Sequence, residues 1–244
     1  MLLKTPFRGI LLFFALAGTQ LTSGQVFEGL VVPDKDVIIS SRTEDVLVSR
    51  EVKAGDNVRE GQLLARLDSR IPRLEVARWE KQLELLESAY ESARNLGRDN
   101  IVSREETLKA QIERDLAKIR LDMAQAELDD TELRSPIDGT VVEILKEPGE
   151  MIRRGEEVFR IVSTDIVFVQ LYIQADTAAQ LKEGMSIPVQ FPSSEKLTGV
   201  EGMVDFIDPT IDPNSGFQKI RIKVKNPDNQ IRSGQRCRVT ISGE

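Results

Sequence analysis

Residues 53–67 have the sequence KAGDNVREGQLLARL, and residues 147–161 repeat its pattern as EPGEMIRRGEEVFRI. The two copies share two glycines, an acidic residue directly after the first glycine and three apolar positions. Glycine suits turns that need a positive φ angle, and the alternating apolar residues around each turn indicate half-buried strands. The glycines are Gly55 and Gly61 in the first copy and Gly149 and Gly155 in the second. Because one copy is too short to bury its own apolar face, the repeat predicts two β half-motifs that pack into one small sandwich.

Between the two copies lies a long charged segment, residues 70–133, whose apolar residues recur at spacings of three and four. This spacing predicts a helix with one apolar seam, turn-forming residues at 95–100, and then a second helix. Ser103 and Glu106 have the spacing of a capping box, which marks the start of the second helix. The first seam is Val76, Trp79, Leu83, Leu86, Tyr90 and Ala93, and the second is Leu108, Ile112, Leu116, Ile119, Met123 and Ala126. Two long helices with matching seams and a short turn predict an antiparallel hairpin.

The second predicted helix carries a further stripe beside its seam, which includes Ala117, Leu121, Ala124 and Leu128. A single hairpin needs only one seam on each helix. The extra stripe is therefore either part of a wide core face or a contact face between copies of the chain. Hairpins packed side by side through such a face would form a hollow cylinder, and the sequence leaves both interpretations open.

Residues 164–244 contain short apolar or alternating segments that are separated by Gly, Pro and Asn turn signals, with one short helical stretch. Several short strands with such regular punctuation predict a small β-barrel. The strands are predicted at 167–173, 186–191, 202–207, 218–224 and 236–241. Cys237 lies in the last of them, where the alternating pattern predicts an inward-pointing, small apolar side chain.

Residues 1–24 have the order of a secretory signal peptide. Lys4 and Arg8 come first, an apolar run follows at 10–17, and small residues complete the segment. The apolar run is about half as long as the roughly 20 residues that a transmembrane helix needs. The sequence therefore predicts that the protein is exported.

The composition disfavours several classes of function. The 244 residues include no histidine and one cysteine, which excludes imidazole ligands, nucleophile pairs with histidine, and cysteine zinc sites within one chain. A net charge of −7 argues against nucleic-acid binding. The carboxylates of the first helix alternate with Arg and Lys, as on a solvated helix surface, rather than clustering as metal ligands. We therefore expect no catalytic residues, no metal site and no cofactor, and we do not expect an enzyme.

Residues 128–141, LDDTELRSPIDGTV, carry the strongest resemblance to a known family. Together with the split half-motif, the hairpin and the barrel, this junction resembles the periplasmic adaptor family, also called membrane fusion or HlyD-like proteins. Residues 208–212 and 232–236 are similar to recurring segments of that family's barrel. The matching junction residues are Thr131, Leu133, Arg134, Pro136, Asp138 and Gly139. The resemblance covers residues 26–241.

The resemblance implies a mixed α and β, elongated fold, in which a lipoyl-like β-sandwich is split by a long antiparallel α-helical hairpin and followed by a small β-barrel. The implied division is a signal peptide at 1–24, a first lipoyl half-motif with an N-terminal strand at 25–69, the hairpin at 70–133, a second lipoyl half-motif at 134–163 and the barrel at 164–244. In true lipoyl and biotinyl domains, a modified lysine occupies the turn between the half-motifs. Here the helical insertion replaces that turn, and Lys53 lies elsewhere, so a carrier function is not expected.

In function, the resemblance implies a non-catalytic periplasmic adaptor that bridges an inner-membrane efflux transporter and an outer-membrane channel as a homo-oligomer. The short hairpin and the lack of an N-terminal membrane span indicate a transporter of the resistance-nodulation-division (RND) class. The chain ends directly after the last predicted barrel strand, so we expect the transporter contacts to come from the barrel, with the N-terminal strand at 26–39 as a further candidate. The alternative is a periplasmic scaffold or accessory subunit that uses the same fold without completing a tripartite pump.

The hairpin tip is the candidate channel-docking site. Family members that dock on outer-membrane channels carry an Arg, a Leu and a Ser there at fixed spacing, and Leu96 and Ser103 match the last two. The Arg position falls on Ser92, with Arg94 two residues away. The resemblance implies docking through these four residues, with Leu96 exposed on a polar turn, whereas the departure at Ser92 favours the scaffold alternative.

Overall fold

The computed structural model describes residues 25–99, 101–192 and 199–241. The predicted signal peptide at 1–24 lies outside these residues. The strands are β1 (Gln25–Ser40), β2 (Asp45–Arg50), β3 (Asn57–Val58), β4 (Leu63–Leu67), β5 (Glu132–Arg134), β6 (Gly139–Ile144), β7 (Met151–Ile152), β8 (Glu157–Gln174), β9 (Ser186–Gln190), β10 (Val200–Ile211), β11 (Phe217–Lys225) and β12 (Arg236–Ile241). The helices are α1 (Arg70–Arg98), α2 (Arg104–Asp129) and the short α3 (Ala175–Ala178).

The two half-motifs pack into one lipoyl-like β-sandwich, as predicted. One sheet has the strand order β5-β4-β2-β7, and β3 and β6 pair onto the first part of β8, which also pairs with the second part of β1. Leu47, Leu64, Phe159 and Ile161 are completely buried between the sheets. Both copies of the repeat contribute to this core, so each half-motif covers the apolar face of the other.

Four glycine turns of the sandwich are built alike. Their glycines, Gly55, Gly61, Gly149 and Gly155, have φ angles between 78° and 98°. In the first turn the backbone N–H of Asp56 donates to the carbonyl of Lys53, and the Asp56 carboxylate accepts the N–H of Lys53 at 2.8 Å. The same two bonds join the pairs Arg59 and Gln62, Glu147 and Glu150, and Arg153 and Glu156. An acidic residue or Gln therefore follows each glycine because its side chain closes the turn.

The junction after the hairpin returns the chain to the sandwich. Pro136 lies in the exposed bend between β5 and β6, and the Ser135 hydroxyl donates to the carbonyl of Ile137 at 2.6 Å. A Cβ atom on Gly139 would lie 2.6 Å from the backbone oxygen of Val162. Glycine is required there because β6 and β8 approach each other so closely.

The predicted β-barrel closes from six strands of the described chain, in the order β1-β12-β9-β10-β11-β8, with β1 also paired to β8. Val31, Ile220, Val239 and Cys237 lie in its core. The first part of β1 therefore belongs to the barrel, although the sequence assigned residues 25–69 to the first lipoyl half-motif. An alternating strand pattern does not identify the neighbouring strand, and the barrel needs this sixth strand to close its open edge.

The barrel and the sandwich share the continuous strands β1 and β8, so the predicted division between residues 163 and 164 falls within β8. The pairing of β1 with β8 shifts register at this point, between Pro33 and Lys35. The buried side chain of Asn226 donates to the carbonyls of Thr164 and Ile231 at 2.8 and 2.9 Å and accepts the N–H of Ile231. This amide therefore connects β8, at the boundary between the barrel and the sandwich, to the loop that follows β11.

The hairpin tip differs from the prediction. The helix α1 does not end at residue 95 but continues to Arg98, so Leu96 lies in its last turn rather than on a polar turn. A Cβ atom on Gly97 would lie 2.9 Å from the hydroxyl of Thr107 in α2. Gly97 therefore serves the close approach of the two helices, whereas the sequence pattern predicts a turn former at this position.

The two helix seams had different outcomes. The predicted seam of α1 is confirmed, because each of its residues, from Val76 to Ala93, is buried or half-buried. The predicted seam of α2 is wrong, since Leu108, Ile112, Leu116, Ile119 and Met123 are 49–60% exposed. The face that packs on α1 is instead the further stripe, and Ala117 and Ala124 are only 3% and 5% exposed.

The candidate contact face between copies is therefore corrected. It lies inside the hairpin of one chain, where it packs on α1, and its residues are Ala117, Leu121, Ala124 and Leu128. The physical reason is size. The bulky rings of Trp79 and Tyr90 occupy the space between the helices, so the facing side of α2 carries alanine at every seventh position. The guanidinium of Arg114 stacks 4.7 Å from the Tyr90 ring and that of Arg120 stacks 4.9 Å from the Trp79 ring.

Candidate functional site

The hairpin tip presents both apolar and positively charged side chains. Leu96 is 41% exposed and Ile101 is 67% exposed. A shallow hollow of about 320 Å³ beside them is lined by Arg94, Gly97, Arg98, Val102, Arg104, Thr107, Leu108 and Gln111. The tip therefore offers an apolar contact together with three guanidinium groups for carboxylates of a partner.

The structure separates the four candidate tip residues into different settings. Ser92 and Leu96 are four residues apart on α1 and share one side of it, whereas Arg94 lines the hollow on another side. The Ser92 hydroxyl donates to the carbonyl of Ser88 at 2.9 Å. Ser103 caps α2 in the predicted capping box, in which its hydroxyl accepts the N–H of Glu106 and the Glu106 carboxylate accepts the N–H of Ser103. Ser103 thus has a complete structural role at the tip.

The outer face of α2 carries a continuous apolar stripe. Ile119 follows the buried Ala117 by two residues, or about 200° around the helix, and so points away from α1. We call this surface the α2 stripe, and its members are Leu108, Ile112, Leu116, Ile119 and Met123. Five large apolar side chains in one row on a single helix face are typical of an interaction surface rather than of scattered exposure.

A second apolar row lies on one flank of α1, outside its seam. These residues, the α1 stripe, are Ile71, Leu74, Leu85 and Leu96, each 41–69% exposed. Their positions fit one helix face because Ile71 and Leu74 are three residues apart, and the two following steps of 11 residues each correspond to about three helical turns. The sequence analysis missed this row and the arginines Arg98 and Arg104 at the tip. The same three-and-four spacing that found the seam could have found the row.

Exposed charged pairs lie on the hairpin surface beside the stripes. The Lys81 ammonium donates to the Glu84 carboxylate at 2.7 Å, which lowers the pKa of Glu84 and raises the pKa of Lys81. At the base of α1, the hydrogen bond from the Arg70 guanidinium lowers the pKa of Asp68. Such exposed pairs contribute little stability but keep the surface beside the stripes soluble.

Reactive groups are sparse in this molecule. Burial raises the pKa of the Cys237 thiol to about 11, so the thiol stays neutral and packs as an apolar group. Among the described residues, no group of three or more Cys, Asp or Glu side chains is arranged to hold a metal ion. No helix in the same residues is long and apolar enough to cross a membrane.

Comparison with known proteins places both parts of the chain. Residues 35–163 match the CzcB-like barrel-sandwich hybrid domain, and residues 167–244 match the CusB-like β-barrel domain. The chain is 24% identical to the cobalt-zinc-cadmium resistance protein CzcB of Cupriavidus metallidurans, over 86% of this chain and 43% of that protein. It is 26% identical to the multidrug resistance protein MdtA of Escherichia coli, over 83% of this chain and 54% of that protein.

Solved structures share the fold. A MacA–MexA chimeric protein that contains the Pseudomonas aeruginosa MexA α-hairpin domain superimposes with a TM-score of 0.80. The identity is 20%, over 91% of this chain and 83% of that chain. The chain spans about half the length of the curated relatives it matches. Because one family model covers more than half of it, the chain belongs to the RND-type periplasmic adaptor, or membrane fusion, family.

Proposed function

We propose that this protein is a periplasmic adaptor, which links an inner-membrane transporter of the RND class to an outer-membrane channel. It acts through homo-oligomeric assembly and has no catalytic step. Residues 1–24 direct it to the periplasm, and the transporter holds it at the inner membrane. The α2 stripe carries the proposal, because a hairpin that leaves five large apolar residues exposed is complete only when another surface covers them.

A second copy of the chain can provide that surface. The α2 stripe and the α1 stripe lie on different sides of the hairpin, so their pairing is heterologous, and repeated heterologous contacts that close produce a ring. The two stripes also lie at matching heights. Within one hairpin, Tyr90 is level with Arg114, and Trp79 is level with Arg120. Leu116 of one copy therefore stands level with Leu85 of the next copy around a ring.

The tip is the proposed contact with the channel. Leu96 and Ile101 supply apolar area, and the three arginines of the tip hollow supply charge. Because Ser92 stands where channel-docking members have Arg, the docking contact depends on Leu96 and on the nearby arginines. If the tip does not dock on a channel, the alternative remains, in which the protein is a scaffold or accessory subunit with the same fold.

The ring is tested by measuring the oligomeric state of the mature chain by sedimentation velocity. Combined Leu116→Glu and Ile119→Glu substitutions place two charges in the α2 stripe and should shift a concentration-dependent oligomer to monomer. Lys118→Glu changes an exposed residue outside the stripe and serves as the control. An unchanged oligomer in the double variant would remove the α2 stripe from the interface.

The bridging role is tested by cross-linking in cells, purification from solubilised envelopes and mass spectrometry of the partners. Recovery of both a transporter and an outer-membrane channel supports the adaptor. Leu96→Asp should eliminate the channel and leave the transporter, with an unchanged amount of protein. If wild type brings down the transporter alone, the accessory-subunit alternative is correct.

A further inference from the structure

Two aspartates lie beside the α2 stripe at equivalent positions, seven residues apart. Asp115 and Asp122 each follow an isoleucine of the stripe by three residues and precede its next member by one. Both are exposed and share one flank of α2, because seven residues correspond to about two helical turns. The Asp115 carboxylate lies 2.7 Å from Nε of Arg114 in its own chain. In the part of the chain that the structure describes, the Asp122 side chain has no ion pair or hydrogen bond.

A lysine lies within the row of the α1 stripe. Lys81 follows Leu74 by seven residues and precedes Leu85 by four, so its side chain leaves α1 on the same face as these leucines. The side chain is 82% exposed, and its ammonium lies 2.7 Å from the Glu84 carboxylate. An exposed pair of this kind contributes little stability, and the four-carbon stem of lysine is flexible. Lys81 is therefore available to a carboxylate that approaches the α1 stripe from outside the chain.

Asp122 and Lys81 lie at matching heights along the hairpin. The two contacts between an arginine of α2 and an aromatic ring of α1 join residues of similar height, and they place Asp122 level with residues 77–82 of α1. Side chains of a helix lean toward its N-terminus, so Lys81 leans toward the base of the hairpin and Asp122 toward the tip, which brings their charged ends closer in height. By the same count Asp115 is level with residues 84–89, which contain no Lys or Arg.

The charges of the two stripes are thus complementary between copies of the chain. Asp115, which has no cation at its height on α1, is paired within its own chain, whereas Asp122 has Lys81 at its height and is unpaired. We propose that Asp122 of one copy pairs with Lys81 of the next copy, and that this pair fixes the register of neighbouring hairpins. Apolar side chains supply the contact area, while charges beside a helix seam select partner and alignment. The inference rests on the proposed function, because it requires the ring.

A zero-length carbodiimide cross-linker tests the contact directly, because it joins a carboxylate to an amine only where the two groups meet. Unlabelled and isotopically labelled mature chains are mixed, allowed to exchange, treated with the reagent and digested. Mass spectrometry should find an amide between Asp122 and Lys81 in peptides of mixed isotope composition, which only two different copies can form. The amide between Lys81 and Glu84 of one chain, with uniform isotope composition, is the internal control.

Charge reversal tests whether the pair contributes to assembly. Asp122→Lys and Lys81→Glu should each weaken self-association in sedimentation velocity by about three- to tenfold, since like charges then face each other. The combined variant restores opposite charges and should return to within about twofold of wild type. Glu113→Lys reverses a charge on the other flank of α2, level with residues 86–91, which contain no Lys or Arg, and should not weaken assembly. Circular dichroism melts establish that the hairpin is folded in each variant.

Two results would overturn the inference: an Asp122 amide that never joins Lys81 of a different copy, or a combined variant that is as weak as the two single changes together. The ring of the proposed function fails separately. If the stripe variant Leu116→Glu with Ile119→Glu dissociates the oligomer but charge reversal has no effect, the pair is wrong and the ring stands. If the stripe variant assembles normally while the charge exchange still restores assembly, the stripes are wrong and the pair stands. A wild-type chain that stays monomeric at every concentration would overturn both.

Discussion

The barrel and the helical hairpin bury their apolar residues to very different degrees. In the barrel, Val169, Ile220 and Ile222 are inaccessible to solvent, whereas among the described residues of α1 and α2 only Val76, Ala117 and Ala124 are buried. A closed barrel encloses its core from all sides, but a helix in a pair has only one face against its partner. The barrel core is therefore complete within one chain, whereas the hairpin leaves the five large apolar side chains of the α2 stripe exposed.

The largest effect should come from the barrel core. Ile220→Ala leaves a cavity among fully buried residues and should lower the free energy of unfolding by about 2–5 kcal/mol. The matched change in the hairpin, Leu116→Ala, should alter the unfolding of the monomer by less than about 0.5 kcal/mol because Leu116 is exposed. Urea titration of both variants at low protein concentration measures the contrast. Equal losses would show that Leu116 supports the monomer.

The next effect distinguishes the two faces of α2. Ala117→Leu should destabilise the hairpin by about 1–3 kcal/mol, because the added atoms must enter the narrow space facing α1. The loss can be followed as a lower midpoint of helix melting by circular dichroism. Lys118→Leu adds a leucine on the neighbouring exposed position and should leave the midpoint nearly unchanged. A stable Ala117→Leu variant would mean that the alanine face is not closely packed.

A smaller effect is expected at the tip. Ser103→Ala removes the hydroxyl that accepts the N–H of Glu106, and should cost about 1 kcal/mol of helix stability. Ser103→Asn, which can also cap, should recover most of that loss. Hydrogen exchange of the first α2 amides measures the change locally. If exchange there is unaffected by Ser103→Ala, Ser103 has no capping role, and its presence at the tip would need another explanation.

The smallest expected effect is on the pH dependence of stability, through an ion pair between the strands β1 and β8. The Arg160 side chain donates two hydrogen bonds to Asp36, which hold the pKa of this carboxyl below its ordinary value of 3.8. Because the pKa is lowered in the folded state, the pair stabilises the fold above the unfolded pKa and loses this contribution as the pH falls through the folded pKa. Thermal melts between about pH 5 and pH 2 should show a slightly steeper loss for wild type than for Asp36→Asn. Parallel pH profiles would contradict the pairing.

The sequence predicted the features that depend on local chemistry. The glycine turns follow from the residues within each turn, and the capping box follows from Ser103 and Glu106 alone. The seam of α1 follows because its bulky residues are both the most apolar and the closest to α2. In each case the pattern and the packing favour the same residues.

The sequence failed where packing overrides hydrophobicity. On α2 the more apolar face predicts the seam, but Trp79 and Tyr90 favour the side that carries the small residues Ala117 and Ala124, so the α2 stripe is exposed. Gly97 was read as a turn former because its role depends on Thr107 of the other helix. For β1, the sequence predicts a strand and does not show that its first part completes the barrel.

The strands shared by the barrel and the sandwich have a mechanical consequence. A flexible linker would let the barrel tilt while the sandwich stayed still. Here the hydrogen-bonded strands β1 and β8 run through both parts and transmit force between them. The register shift lies at the boundary between the two parts, and the Asn226 amide joins Thr164 of β8 to the loop after β11 there. A torque applied to the barrel is therefore transmitted through the sandwich to the base of the hairpin. Movement at one end of the molecule is thus passed toward the other.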